Sequence, residues 1–183
     1  RQVVVVYDSD AATNDNVVRA QNQLAKMLVS RGAMPMIASL PPMDDGKKQG
    51  LDDFLVRHGR DELMRVLESS APFPEAFALW EMNNDVVYIR DPGVVVNKTS
   101  GQRIPPGAFV QHSFANRHYM EAQQTKNGIV LAKKPLAPKW MSWEHRFELE
   151  KITYRPGEPQ VVDDEWNLWP GWGREPSPGD VGP

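Results

Sequence analysis

Val3-Val4-Val5-Val6 runs into Tyr7 without a polar interruption, and the chain turns polar at Asp8-Ser9-Asp10 just before a long amphipathic stretch. An unbroken β-branched run of this kind predicts a strand covered on both faces, as in parallel sheets. Asn14 or Asp15 is placed to cap a helix reaching Ser30 or Arg31, with Val17, Gln21, Leu24 and Leu28 on one stripe and Gly32 at its end. Met34 to Leu40 then reads as a second short strand. Strand, helix and strand in this order imply a right-handed crossover with the two strands parallel. The loop from Pro41 to Gly50 therefore falls on the same sheet edge as Asp8 and Asp10.

Further along, Leu51 starts a short helix that ends near Gly59, and Asp61 to Ser69 makes another with Leu63, Val66 and Leu67 inward. Ala71-Pro72-Phe73-Pro74 breaks the pattern, because the residue before each proline is pushed out of the helical region, and a domain boundary is expected there. Glu75 to Asn84 can be helical, Val86 to Arg90 and Val94 to Asn97 read as short strands, and Lys98-Thr99-Ser100-Gly101 is a turn. A helix around Trp140 to Phe147 and a strand at Leu149 to Tyr154 follow, while Phe114 to Lys134 has no clear period. The expected organisation is a parallel α/β sheet with helices over residues 1–71, a small α+β connector over 72–160, and an extended Trp/Pro/Gly-rich tail over 161–183.

Composition narrows the function classes. The chain has 183 residues, 40% of them hydrophobic, which is enough for a core, and no Cys, which removes disulfides, thiolate zinc sites and thiol nucleophiles. No stretch approaches the ~20 apolar residues of a membrane span and no signal-peptide pattern is present, so the default location is cytoplasmic. His112, His118 and His145 lack metal-ligand spacing. The net charge of −3 does not mark a nucleic-acid binder, yet Gln111 to Arg155 holds eight Lys or Arg against four Glu. Arg117, Lys133, Lys134 and Lys139 are the group through which that half would meet a DNA backbone, with solvated side chains as the plainer reading. Arg1 and Gln2 lead straight into the first strand with no initiator Met, and the chain reads as a piece of a longer protein.

The candidate chemistry lies at the first strand end. Two carboxylates as close as Asp8 and Asp10 repel one another unless a cation sits between them, and a hard ion such as Mg2+ resolves the conflict. Open α/β sheets place ligands at this edge. Asp52 and Asp53 open the next helix, where they would add an acid or hold a metal-bound water; for Asp53, capping against the helix dipole is the favoured reading. Lys47 and Lys48 in the loop between would meet a phosphate. Trp166, Trp169 and Trp172 would stack on single-stranded bases or, more in keeping with a Pro/Gly tail, anchor an extended segment.

Val3 through Ser70 resembles the C-terminal part of a Toprim domain, in particular the Toprim-like domain of phage and plasmid replication proteins. The resemblance rests on the strand closing in Asp8-Ser9-Asp10, the helix ending in Arg31-Gly32-Ala33, the strand closing in Leu40-Pro41, and Gly46-Lys47-Lys48-Gln49-Gly50-Leu51-Asp52-Asp53-Phe54-Leu55. It implies Asp8 and Asp10 as Mg2+ ligands, Asp52 as an accessory acid, and a general-base Glu on a strand upstream of Arg1, so that no catalytic residue carries over to this chain. The remainder is similar, less specifically, to the connector that precedes a superfamily 3 helicase in primase-helicases, on Trp140 with Arg146, Tyr154-Arg155-Pro156-Gly157 and Trp166-Asn167-Leu168-Trp169-Pro170-Gly171. That implies a primase-helicase fragment, itself inactive, whose partners are single-stranded or origin DNA, nucleotides and the rest of its own parent chain, with a ring oligomer formed through the helicase. No phosphate loop of the Gly-x-x-x-x-Gly-Lys-Ser/Thr form occurs. Two alternatives stand beside this reading. A haloacid dehalogenase-like phosphatase also opens on Asp-x-Asp, but it wants Thr or Val where Ala12 stands. A non-catalytic DNA-binding or scaffolding module would keep the acids only as surface features.

Overall fold

The computed structural model describes residues 1–12, 14–126 and 128–171. It is mixed α/β with several sheets, and no sheet among the described residues closes into a barrel. The elements in chain order are β1 (Gln2–Tyr7), a 3-10 turn (Ser9–Ala12), α1 (Asp15–Ser30), β2 (Met34–Ser39), α2 (Leu51–Glu68), β3 (Ala71–Pro72), α3 (Pro74–Asp85), β4 (Val86–Asp91), β5 (Val94–Asn97), β6 (Arg103–Ile104), α4 (Pro106–Ala108) running into a π turn (Phe109–Ser113), β7 (His118–Thr125), β8 (Gly128–Pro135), α5 (Leu136–Met141), β9 (Glu148–Thr153), β10 (Val161–Val162) and β11 (Glu165–Asn167). Two compact units form, and both are discontinuous: Arg1–Met82 with Phe114–Arg146, and Asn83–Ser113 with Phe147–Pro183. The boundary expected after residue 71 falls inside the first unit, because β3 pairs antiparallel with β2 through Met36↔Pro72 and Ile37↔Ala71.

In the first unit, β1 and β2 run parallel in the register Gln2↔Met34 through Tyr7↔Ser39, and the sheet order is β1-β2-β3. The helix between them starts as its sequence dictates, with Asn14 as N-cap accepting from the Asn16 N–H at 3.1 Å. It ends where Gly32 takes φ +73°, a conformation that glycine adopts without strain. A Cβ there would lie 2.9 Å from the His145 ring, so the turn also needs glycine for space. The valine run is covered less evenly than expected: Val5 is buried but Val4 is 44% exposed. Alternate side chains of a strand face opposite ways, and on this edge strand one face carries most of the cover. The two helices expected after Leu51 appear as one span broken at Gly59 (φ 80°, ψ 174°).

Phe114 to Lys134, which has no clear sequence period, contributes the hairpin β7–β8, paired from His118↔Pro135 to Thr125↔Gly128. The helix expected at Trp140 to Phe147 instead occupies Leu136–Met141. Pro135 at its N-cap fixes the start, and Trp143 and Arg146 follow in turns. Trp140 is fully buried, and Trp143 stands edge-on to Trp80 at 5.5 Å while its indole N–H donates to the Val29 carbonyl at 3.2 Å.

The second unit is a six-stranded sheet in the order β10-β11-β9-β4-β5-β6. Its core is Val87, Ile89, Val96, Leu149 and Trp166, flanked by Val94, Phe147 and Ile152. The tail expected to be extended from residue 161 in fact adds two strands, joined by a two-residue turn with Asp163 and Asp164 at φ 51° and 61°. This is the positive-φ hairpin turn whose twist matches the strands, built here from two Asp rather than Asn-Gly. Trp166 anchors the core, as the favoured reading of the Trp cluster expects, whereas Trp172 lies outside the described residues. Asn167 is fully buried. Its Oδ1 accepts from the Arg155 and Trp169 N–H groups at 2.9 and 3.1 Å, and its Nδ2 donates to the carbonyls of Arg155, Glu158 and Pro159 at 2.8, 3.2 and 3.2 Å.

Candidate functional site

Asp8 follows β1 directly and Asp10 lies in the 3-10 turn behind it. They converge by that turn rather than by strand alternation: the Ala11 N–H donates to the Asp8 carbonyl at 2.9 Å and the Asn14 N–H to the Asp10 carbonyl at 2.9 Å, curling the chain under both carboxylates. The Asn14 side chain also donates to Asp10 Oδ2 at 3.3 Å, so one residue caps α1 and steadies an acid.

The loop before α2 is tied to the same place. The Ser9 N–H donates to the Gln49 carbonyl at 3.0 Å, and the Gln49 N–H donates back to Ser9 Oγ at 2.8 Å. This clamp sets the residues on either side of Gln49 against the acids. Lys48 Nζ stands 2.9 Å from Asp8 Oδ2 and 3.5 Å from Asp10 Oδ1. An ammonium thus occupies the position between two carboxylates that charge repulsion reserves for a cation. The hydrogen bond to Asp8 holds the Lys48 ammonium above its ordinary pKa, and the Asp10 charge adds to the effect. On the other side of the clamp, a Cβ at Gly50 would lie 3.6 Å from Asp8 Oδ1 and 3.7 Å from Asp53 Oδ2. Gly50 is the α2 N-cap and has no side chain with which to cap.

Of the acids expected at the start of α2, it is therefore Asp53 whose carboxylate flanks Gly50 beside Asp8, while Asp52 is exposed in the first turn. Lys47 is turned away from the pair. Its Nζ lies 2.7 Å from Asp45 Oδ2 and its N–H donates to Asp45 Oδ1 at 3.1 Å, which holds the Asp45 carboxyl below the usual range. Sequence gave no sign of the Ser9–Gln49 clamp. Gln49 is itself completely buried, and neither atom of its side-chain amide has a hydrogen-bond partner. Among the described residues, no group of three or more His, Cys, Asp or Glu is gathered as a metal cage. Two hard carboxylates around a cation-sized position nonetheless suit Mg2+, which keeps several waters and takes only one or two carboxylates from a protein.

The four basic residues expected on a DNA surface are dispersed over the elements of this unit. Lys133 and Lys134 are adjacent on β8 and so face opposite sides of the hairpin. Lys134 Nζ is 3.8 Å from Glu121, which also takes Lys26 at 2.5 Å. Lys139 Nζ is 3.0 Å from Glu75, a carboxylate only 3% exposed. Arg117 lies over the Phe114 ring at 5.7 Å. Lys133 is exposed opposite Met120. A cavity of about 430 Å³ in the same unit is bordered by Lys26, Ser30, Glu75, Lys139 and Trp143.

Residues 1–62 match a family described as a domain of unknown function, DUF3854. The matched stretch holds Asp8, Asp10, Lys48 and Asp53, and the family's description assigns them no activity. No curated protein and no solved structure matches the chain. No helix among the described residues is long and apolar enough to cross a membrane.

Proposed function

We propose that this chain is part of a phage- or plasmid-type DNA replication protein, a primase-helicase, in which a Toprim-like first unit uses Asp8 and Asp10 to hold Mg2+ for nucleotidyl or phosphoryl transfer on DNA. The observation that supports this most directly is the convergence of both carboxylates on one cation, Lys48, at the end of a strand in a parallel strand–helix–strand unit. The resemblance of Val3 through Ser70 to Toprim-like domains supplies the chemistry that such a pair performs.

Mg2+ bound there would act as a Lewis acid toward a phosphate oxygen. The chain's own residues do the rest of the positioning. Asn14 fixes Asp10, the Ser9–Gln49 clamp fixes the loop, and Asp53 adds negative charge beside Asp8. No general base is assigned to this chain. A DNA backbone would meet Arg117, Lys133 and Lys139, which are exposed, with Lys134 half-buried; Lys134 and Lys139 also pair with Glu121 and Glu75, and Arg117 lies over Phe114.

The test is a Mg2+ titration of the wild-type chain against the Asp8→Ala, Asp10→Ala double variant, read by amide chemical shifts and by thermal shift. Shifts centred on residues 8–10 in the wild type and absent from the variant are expected in the millimolar range. Equal responses in the two proteins would remove the metal reading and leave a scaffolding module. Covalent capture of phosphate from a generic ester at Asp8 would replace it with dehalogenase-type chemistry.

A further inference from the structure

We propose that Lys48 is a built-in counter-ion that fills the cation position between Asp8 and Asp10 until a divalent ion displaces it, whereupon its ammonium becomes available to a phosphate oxygen at the same edge. This rests on the metal reading of Asp8 and Asp10 given above.

Three observations carry it. The first is geometric: one ammonium, 2.9 Å from Asp8 and 3.5 Å from Asp10, already serves both carboxylates, so a Mg2+ between them and Lys48 in its present place exclude one another. The second is freedom to leave, because the Lys48 side chain is 54% exposed and sits on a flexible four-carbon stem whose ammonium pairs with these two acids at an open edge. The third is the state of the neighbouring residue. Gln49 is wholly buried with both amide atoms unpaired, although its main chain is clamped to Ser9. A native chain seldom leaves a buried amide unsatisfied, and a segment that does so has reason to rearrange when its neighbour lets go.

The exchange makes charge sense in both states. With Lys48 in place one of the two negative charges is offset without metal, and the chain avoids a bare pair of carboxylates. With Mg2+ in place the ion takes over that duty, and the freed ammonium adds a positive charge at the edge where a phosphate would bridge to the metal. Lys48 is thus a positioning residue for a metal-bound phosphate rather than a ligand of the metal.

The experiment uses the full chain and Mg2+ alone, followed by amide and side-chain resonances of residues 8–10 and 48–50. Lys48→Met is a surface change and should leave the fold intact. It is expected to bind Mg2+ about fivefold more tightly than wild type, the scale of losing one competing exposed ion pair. Lys48→Arg keeps the charge and should bind no more tightly than wild type. In the wild type, Mg2+ should shift the Lys48 side-chain resonances and those of the Gln49 amide. If wild-type shifts map to Asp8 and Asp10 but Lys48→Met binds equally or more weakly, the exchange is overturned and the metal reading stands. If neither protein responds at residues 8–10, both fall together.

Discussion

Asn167→Ala removes a side chain that pins the segment from Arg155 to Pro159 against the end of β11. Its Oδ1 receives two backbone N–H groups and its Nδ2 faces three carbonyls. An amide NH2 has only two hydrogens, so two of the three carbonyl contacts share one, leaving about four effective bonds. Glu158 and Pro159 are exposed, and their carbonyls can turn to water once the amide is gone. Arg155 is only partly exposed and is held at both its N–H and its carbonyl, so it loses most. At about 1 kcal/mol net for each bond not replaced by water, the loss is about 2–4 kcal/mol for the second unit. Urea unfolding followed by tryptophan fluorescence, with Trp166 next in sequence as reporter, measures it. Amide hydrogen exchange at Arg155 and Trp169 locates it and avoids assuming that both units unfold together. Asn167→Asp keeps the acceptors but sets a carboxylate against the carbonyls, and relative to wild type it should recover as pH falls and the protonated acid donates again. A loss below about 0.5 kcal/mol in Asn167→Ala, with Arg155 protection unchanged, would refute the reasoning.

Two further outcomes follow from the first unit. Burial pushes the Tyr119 phenol up to about 12, with the charges of Glu75 and Glu121 adding to it. The folded state therefore keeps its proton while the unfolded chain ionises near pH 10, so stability falls as pH rises from about 10 to 12; Tyr119→Phe should flatten that fall, and an unchanged alkaline profile would contradict it. Lys139→Met strands the buried Glu75 carboxylate without its partner and should lower stability by about 2 kcal/mol, below the range for a fully buried pair because Lys139 is 43% exposed. The Glu75→Gln, Lys139→Met double variant should recover part of that loss in urea unfolding.

The first unit is the more legible half of the sequence. The Asn14 cap, Gly32 and the break at Gly59 each state a local rule that the fold obeys, and the valine run does form a strand, though one covered mainly on a single face. Where reading failed, tertiary pairing had overridden local pattern. Val161–Val162 and Glu165–Asn167 are too short to announce themselves as strands, and they exist because β9 offers an edge on which Glu165 to Asn167 pair in parallel. The hairpin β7–β8 carries lysine on both faces, at Lys133 and Lys134, and shows no clean alternation. At the site, Asp8 and Asp10 were visible because charge repulsion is written in their spacing. The choice of Asp53 over Asp52 and of Lys48 over Lys47 was not, since it depends on the Ser9–Gln49 clamp across forty positions of chain.

The outer rim of β1 has its own consequence. That strand is the last of its sheet, so along its length a ladder of amides and carbonyls meets no other strand among the described residues. Uncharged, proline-free and rich in valine, it meets the conditions under which one chain templates another. At high concentration the isolated polypeptide is expected to accrete rim to rim, and a charge at Val4, the best exposed of the four valines, should keep it dispersed.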